Sequence, residues 1–420
     1  MPDQARLTRR TLLKRAGMTG AAIGLGAVVL SQTVGGGDGE SGENESYLPG
    51  FNDDFVSYSH SGFADATMRK LKARGGRAIR FGIDWGQVQA AGRDTFDWSA
   101  TNDLYSQALK YGVQMLPTLF GCPEWADPVV TASRWPGNDP ELPPDYFRTC
   151  SADYDPDFGR FADQALRHFD AFSRYRGRNR VVTGVEILNE PNVWTFGAVP
   201  AGRLRELCDA AAARVDQSQK AGAFSGPMWV ISGGPAPAVA LEPDNQLGYP
   251  VRPSWQEYLS ELVGDGEIGF DVGMHAYETA KPPEGVLTDP EDSSDPFDRG
   301  RQYATWRAER IVEQIDEALE IVPGDLWLTE TGASSAPVWP SDVFSPGYRG
   351  AHGQAMQAET LTGIADAISS RPRCRSMFVH RLFSDDRAEP PGTAHFQDGV
   401  YDSIDGKPKE AVEALAAAWP

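Results

Sequence analysis

The sequence predicts an α/β protein folded as a single (β/α)₈ (TIM) barrel, and three observations favour that fold class. Eight short runs rich in β-branched and aromatic residues recur along the chain, separated by amphipathic segments of helical period. No glycine-rich nucleotide turn follows the first run, although an open doubly wound sheet would be expected to carry one there. The length of 420 residues is compatible with one domain, because such barrels often exceed about 250 residues.

The predicted strands are spaced so that a helix can follow each of them. Runs such as "AIRFGIDW", "VQMLPTLF" and "LWLTETG" are apolar enough to be strands of a buried parallel sheet. We predict strands at 54–59, 78–85, 113–120, 182–189, 228–234, 270–277, 326–332 and 376–383, and helices at 65–74, 102–111, 158–175, 203–221 and 303–321. Long loops follow the third, sixth and seventh strands, on the rim where barrel enzymes place their active sites.

The N-terminus has the pattern of an export signal. Arg9 and Arg10 precede an apolar run rich in glycine and alanine, as in a twin-arginine signal. We predict a signal segment at 1–31, a flexible acidic linker at 32–46 and the barrel at 47–420. The apolar run is short for a membrane span, but it could stay uncleaved as an anchor. The expected location is therefore extracellular or at the cell surface.

The charge balance is strongly acidic. The formal net charge is −20, so no basic face for nucleic acid is expected. Lysine occurs only eight times, and most of the basic residues are arginine. An acidic surface keeps a protein soluble when salt screens its self-repulsion, which favours a protein adapted to high salt. Ordinary acidic solubility is the alternative.

The four cysteines lack the spacing of a zinc site, and the sequence predicts neither a metal nor a cofactor. Because export permits disulfides, Cys122 and Cys150 could close one loop, although the sequence leaves this open. Cys208 and Cys374 are predicted to be free, buried thiols.

Two glutamates end strands that lie far apart in the sequence. Glu190 follows the fourth strand in "GVEILNEPNVW", and Glu330 ends the seventh in "LWLTETG". In a closed barrel both face the same mouth. Two carboxylates there match glycoside hydrolysis, in which one protonates the leaving oxygen while the other attacks or activates water. A separation of about 5–5.5 Å would indicate retention of configuration, and about 6.5–9.5 Å inversion.

Four other polar residues are predicted to lie beside this pair. Asn189 supplies an amide suited to a sugar 2-hydroxyl, and Arg80 could hold Glu330 ionised. His275 and Tyr277 share one face of the sixth strand and could donate to the same carboxylate. We expect Glu190, with no evident cation, to keep the raised pKa of a general acid.

Each assignment has a structural alternative. Arg80 could pair with Glu186 inside the barrel without any catalytic role. His275 could be a hydrogen-bonded interior histidine, which is also the interpretation given to His60 and His380. Asn-Glu-Pro alone is a common strand-to-loop turn. The agreement of all these residues on one rim favours the catalytic interpretation.

Four tryptophans follow strand ends, and we predict that they stack on sugar rings. Any one of them could instead cap the core. They are Trp85, Trp125, Trp194 and Trp339.

The chain resembles the clan-A glycoside hydrolases of the cellulase and β-xylosidase type, nearest to families 5 and 39, over most of residues 50–420. The resemblance rests on "RFGIDWGQV", "PTLFGCPEWA", "VEILNEPN", "FDVGMHAY", "LWLTETG" and "GVYDSIDGKPKEAVEAL". It implies the barrel fold and a retaining mechanism, with Glu190 as acid/base and Glu330 as nucleophile. It places Asn189, Arg80, His275 and Tyr277 on supporting positions. The chain has "FVHRLFSDD" after the eighth strand, where many relatives have a tryptophan, and "LFGCPEW" where many have a histidine.

These observations predict an exported, salt-adapted retaining glycoside hydrolase that cleaves a β-linked oligo- or polysaccharide with two glutamates. The expected partner is therefore a carbohydrate. The alternative is a non-catalytic carbohydrate-binding surface protein on a degenerate barrel. Lipase and zinc-hydrolase chemistry are disfavoured, because neither G-x-S-x-G nor H-E-x-x-H occurs. The sugar, the choice between endo and exo attack and the oligomeric state are left open.

Overall fold

Eight parallel strands form one sheet in the order β5-β4-β3-β2-β1-β8-β7-β6. The computed structural model describes residues 47–53, 61–127, 149–176, 181–193, 196–237, 254–278, 296–333, 351–383, 399–401 and 407–419. The strands are β1 Leu48–Asn52, β2 Ala78–Asp84, β3 Gln114–Phe120, β4 Gly184–Ile187, β5 Trp229–Ser232, β6 Val272–Ala276, β7 Leu326–Thr331 and β8 Cys374–His380. The predicted signal segment and linker, 1–46, lie outside these ranges.

The two outer strands of this order, β5 and β6, close the sheet into a barrel. Asp271, just before β6, pairs with Ile231 of β5. The amide of Ser232 donates to the Asp271 carbonyl over 2.9 Å, and the amide of Asp271 donates to the Val230 carbonyl over 2.8 Å. The (β/α)₈ prediction is therefore confirmed.

Helices lie between the strands and cover the outside of the barrel. They are α1 Ser61–Lys72, α2 Trp85–Val88, α3 Ser99–Tyr111, α4 Asp155–Arg176, α5 Ala201–Lys220, α6 Trp255–Val263, α7 Pro296–Ile321, α8 Ala351–Ser369 and α9 Glu410–Ala418. All five predicted helices are present, with bounds that differ by up to seven residues. None of the helices in the described ranges is long and apolar enough to cross a bilayer.

The first strand begins six residues before its predicted position, which corrects the prediction at 54–59. Residues 54–60 lie outside the described ranges. The strand "LPGFN" contains Pro49 and Gly50, which in a sequence alone indicate a turn. In the barrel, a Cβ on Gly50 would lie 2.6 Å from the Ala78 carbonyl and 2.7 Å from the Phe378 ring. The glycine therefore allows β1 to approach β2 and the barrel interior closely.

The barrel interior changes from apolar to charged along its axis. One apolar cluster fills the N-terminal end, and it comprises Leu48, Ala78, Leu116, Ile231, Trp327 and Phe378. Above it, Arg80, Thr118 and Glu186 are also buried, at 0–2% exposure. The closed apolar end and this polar layer together support the side chains at the C-terminal mouth.

One disulfide bond is present, at the pair of cysteines for which the sequence left the question open. A disulfide joins Cys122, just after β3, to Cys150, with 5.3 Å between their Cα atoms. In the chain-entropy model, a bridge over 28 residues stabilises the fold by about 3–4 kcal/mol. Cys208 and Cys374 are buried free thiols, as predicted.

Candidate active site

Glu330 faces the barrel mouth because of an irregularity in β7. Trp327 points into the apolar end of the barrel, so strict alternation would next turn Thr329 inward. However, Leu328 pairs with Met274 and Glu330 pairs with His275. Thr329 is therefore an extra residue in β7, a β-bulge of the kind that re-aims a side chain.

The Glu330 carboxylate accepts hydrogen bonds from residues of β1 and β2 and from the residue that follows β6. Arg80 Nη1 donates to Oε2 over 3.0 Å and Asn52 Nδ2 donates to the same oxygen over 2.5 Å. The Tyr277 hydroxyl donates to Oε1 over 2.6 Å. All three neighbours donate, so both oxygens of the carboxylate serve as acceptors and the group is held in one orientation. The arrangement suits a nucleophile.

Glu190 lies on a strained turn after β4. Its φ is 39° and that of Leu188 is 68°, both in the left-handed region that non-glycine residues rarely adopt. Each such residue costs on the order of 1–3 kcal/mol and persists only where the surrounding structure imposes it. The Glu190 side chain is 17% exposed, and its Oε1 lies 3.1 Å from His275 Nδ1. The turn thus presents a carboxyl group to the mouth with a histidine beside it.

The two carboxylates lie close together. One oxygen of Glu190, one oxygen of Glu330 and a ring nitrogen of His275 all fall within 4.8 Å of one another. Such donor atoms could in principle bridge a metal ion, but the Arg80 guanidinium already donates to Glu330. Because its charge opposes a second cation there, we assign no metal to these residues.

Arg80 connects the interior of the barrel to the mouth. Its Nε donates to Glu186 Oε2 over 2.6 Å, and its Nη2 donates to Asn189 Oδ1 over 2.7 Å. With the bond to Glu330, Arg80 contacts the partner that each sequence interpretation gave it: Glu186 inside the barrel and the candidate nucleophile at the mouth. Its Nη2 also lies 3.4 Å from His275 Nε2.

Glu186 stays charged inside the barrel. Burial by itself would raise the pKa of this carboxyl. The positive charge of Arg80 and the hydrogen bonds from Arg80 and Thr118 outweigh burial, so the pKa lies below its ordinary value. A buried charge of this kind is tolerated only with its partner in place.

Replacing Arg80 by methionine should therefore destabilise the fold by about 3–5 kcal/mol near pH 7, because Glu186 would be left buried without a cation. In the wild type, the depressed Glu186 pKa means that its stabilisation is lost as the pH falls through the folded-state pKa. In the variant, burial raises the Glu186 pKa because the cation is gone, so Glu186 takes up a proton on folding. The difference in free energy of unfolding between wild type and variant should therefore become smaller as the pH falls. Urea unfolding at pH 7 and pH 5 measures both effects.

A matched control is Arg375→Met. Arg375 Nε lies 2.6 Å from Asp325, but these side chains are 31% and 27% exposed. Loss of such a partly exposed pair should cost less than about 1 kcal/mol. Equal losses in the two variants would contradict the role given to burial.

Neighbouring residues outside the candidate site position His275 and Tyr277. A Cβ on Gly234 would lie 2.5 Å from the His275 ring, so this glycine lets His275 pack against β5. The Tyr277 carbonyl accepts from Gln314 of α7 over 2.8 Å. The structure thus brings Asn189, His275 and Tyr277 together with Arg80 and both glutamates.

Of the four tryptophans predicted to stack on sugar rings, Trp85 and Trp125 lie within the described residues, and their surroundings differ. Trp85 is only 1% exposed; its ring stacks on Phe161, with centroids 5.8 Å apart. It offers no face to a sugar, so its assignment to substrate binding is corrected to core packing. Trp125 is partly buried, with its ring edge-on to Trp85 at 6.1 Å. Trp194 and Trp339 lie outside the described residues.

Sequence reasoning missed two residues that contact the candidate nucleophile. Asn52 was overlooked because the first strand was placed after it. His380 was interpreted as an interior histidine, yet its Nδ1 lies 3.9 Å from Glu330 Oε1 and 3.3 Å from Asn52 Nδ2. Both residues end strands at the mouth, and that position is the only signal in the sequence that could have identified them.

Solved structures with a similar fold include glycoside hydrolases, whereas no family model and no curated protein matches the sequence. A family 39 glycoside hydrolase from the gut symbiont Bacteroides cellulosilyticus WH2 has a TM-score of 0.52 and 14% identity, over 89% of this chain and 64% of that chain. GH5_18 from Streptomyces cattleya, in complex with GlcNAc, has a TM-score of 0.52 and 15% identity, over 89% and 79%. The β-glycosidase BGL167 has a TM-score of 0.52 and 14% identity, over 85% of both chains.

The chain thus spans less than two thirds of the family 39 enzyme. At these identities the likeness concerns the fold. This chain therefore shares the (β/α)₈ barrel fold of glycoside hydrolases of families 5 and 39.

Proposed function

We propose that this protein is a retaining glycoside hydrolase that cleaves a β-linked oligo- or polysaccharide. The observation that carries the proposal is the pair of carboxylates at the barrel mouth, with oxygens of Glu190 and Glu330 within 4.8 Å of each other. That spacing supports retention, because an inverting enzyme needs about 6.5–9.5 Å to admit a water molecule between its carboxyl groups. The glycosidases of similar fold support the same reaction class.

In the first step, Glu190 donates its proton to the glycosidic oxygen while a Glu330 oxygen attacks the anomeric carbon from the opposite face. The bond between the anomeric carbon and the glycosidic oxygen breaks, and the leaving alcohol departs with the proton. In the second step, the Glu190 carboxylate takes a proton from water, and the resulting hydroxide displaces Glu330. Two inversions return the sugar with its original configuration.

The neighbouring side chains fit these roles. Arg80, Asn52 and Tyr277 donate to Glu330 and hold its carboxylate in one orientation. Asn189, fixed through its Oδ1 by Arg80, keeps its amide hydrogens for the sugar 2-hydroxyl. His275 accompanies the carboxyl group that must gain and lose a proton.

The substrate is inferred only to its class. GH5_18 from Streptomyces cattleya was also solved with Manβ1-4GlcNAc, and another protein of similar fold is an exo-β-1,4-mannosidase, Op5Man5. The ligand and the enzyme name support a β-linked sugar. Export by the twin-arginine route and activity in high salt also belong to the proposal, and both rest on the sequence.

The test is a panel of 4-nitrophenyl β-glycosides assayed in high salt, with the anomer of the first-formed sugar read by proton NMR. A retaining enzyme releases the β-anomer first. Release of the α-anomer would contradict the retaining mechanism. Saturable binding of glycans without hydrolysis across the panel would instead favour the non-catalytic carbohydrate-binding alternative.

A further inference from the structure

The Asn52 amide connects Glu330 to a second titratable side chain. Asn52 and His380 are register neighbours at the C-terminal ends of β1 and β8. Asn52 is 0% exposed; its Nδ2 lies 2.5 Å from Glu330 Oε2 and 3.3 Å from His380 Nδ1. A primary amide nitrogen carries two hydrogens, so it can serve both acceptors at once.

This geometry determines which nitrogen of His380 carries the proton. Since Nδ2 of Asn52 can only donate, His380 Nδ1 must accept, and the ring is neutral with its hydrogen on Nε2. A proton on Nδ1 would set two N–H groups against each other and remove the bond to Asn52. The His380 side chain is 23% exposed, so solvent protons can reach it.

One charged neighbour of His380 among the described residues lies on β7. Glu330 Oε1 is 3.9 Å from His380 Nδ1. Arg80 of β2 and Tyr277, just after β6, act on His380 through Glu330, to which both donate.

Two further charged residues, Asp53 and Arg381, lie next to Asn52 and His380 in the sequence. Asp53 directly follows β1, and strand alternation would turn it to the face opposite Asn52. Helix α8 packs on the outer face of β8, whereas His380 faces the barrel interior. Arg381, next in the chain, is the adjacent cation and is 8% exposed.

We propose that His380 is a positioning residue for Glu330 and acts through Asn52. Neutral His380 accepts from Asn52 and keeps the other amide hydrogen directed at Glu330, whereas protonated His380 breaks this alignment. The inference rests on the proposed function, in which Glu330 is the nucleophile. According to this inference, protonation of His380, and not only that of the two glutamates, makes the alignment of Glu330 depend on pH.

The kinetic test compares wild type, His380→Asn and His380→Ala on the nitrophenyl glycoside that the wild type cleaves fastest. Asparagine can place an acceptor near the position of Nδ1 but does not titrate. His380→Asn should retain kcat within about threefold at pH 8 and move the acidic limb of the pH profile at least about one unit lower. His380→Ala should lose about tenfold in kcat at pH 8 with KM little changed, as expected for one lost hydrogen bond.

A histidine away from the mouth provides the control. His168 of α4 stacks on Trp98, with ring centroids 4.8 Å apart. His168→Asn should leave the acidic limb where it is in the wild type. If the limbs of wild type and His380→Asn coincide, the proposal is overturned.

A double-variant cycle tests whether the effect passes through Asn52. If it does, His380→Ala should cost kcat no more than about twofold in an Asn52→Ala background, against tenfold in the wild type. Equal losses in both backgrounds would show that His380 acts independently of Asn52.

Nitrogen NMR of the full chain labelled at histidine separates this inference from the proposed function. The His380 signals, assigned by their loss in His380→Asn, should show an unprotonated Nδ1 at pH 8. A hydrogen on His380 Nδ1 would contradict the hydrogen bond from Asn52 to His380, whether or not the protein cleaves glycosides. If the tautomer is as expected but no glycoside is cleaved, the proposed function fails and the hydrogen-bonded pair stands.

Discussion

Replacing Glu330 by alanine is expected to lower kcat on an aryl β-glycoside by on the order of 10⁴-fold or more, because no group remains to form the covalent glycosyl intermediate. The fold should persist, since alanine at the mouth leaves Arg80 paired with the buried Glu186. Added azide should then occupy the vacated space and attack the anomeric carbon directly. One inversion instead of two would yield the α-glycosyl azide, measured by NMR of the product.

The control for this variant is another carboxylate near the same rim. Glu278 follows β6 and pairs with Arg307, whose Nε lies 2.6 Å from its Oε2. Glu278→Gln should stay within about threefold of the wild-type kcat, because this side chain is engaged with α7. If Glu330→Ala were as active as Glu278→Gln, Glu330 would not be the nucleophile.

Replacing Glu190 by glutamine is expected to make the rate depend strongly on the leaving group. The amide cannot donate the proton that an alkoxide leaving group needs, so kcat/KM on unactivated oligosaccharides should fall by about 10²–10⁴-fold. Dinitrophenyl glycosides, whose phenolate leaves without protonation, should lose far less in the first step. Rates measured over a series of leaving-group pKa values test this.

Azide also distinguishes the two glutamates. In Glu190→Gln, azide should accelerate the second step, because it needs no general base, and should yield the β-glycosyl azide. An equal loss on all leaving groups, or an α-azide from this variant, would exclude Glu190 as the acid/base.

The sequence was a good guide wherever the signal was local. Strand and helix positions follow from short-range periodicity, so seven of the eight predicted strands overlap the observed ones. The exception, β1, contains a proline and a glycine whose fit depends on Phe378, far along the chain. A pattern within five residues cannot report such a contact.

Site residues show the same division. Glu190 and Glu330 could be selected because each lies at or just after the end of a predicted strand, and Arg80 because a charge inside a strand needs a partner. Trp85 follows a strand end in the same way, yet packing against α4 buries it. Whether a strand-end side chain reaches solvent depends on the helix that packs beside it.

By itself, the sequence determined the alternation of strands and helices and the placement of two glutamates at the mouth of one barrel. Both can be predicted from short segments of the sequence, because strands and helices have characteristic periodic patterns of apolar residues. Only the tertiary structure decided that the Thr329 bulge turns Glu330 inward and that Asn52 meets His380, 328 residues away. The physical reason is that strand register is set when distant segments pair in the closed barrel, and one extra residue in a strand reverses which face a side chain occupies.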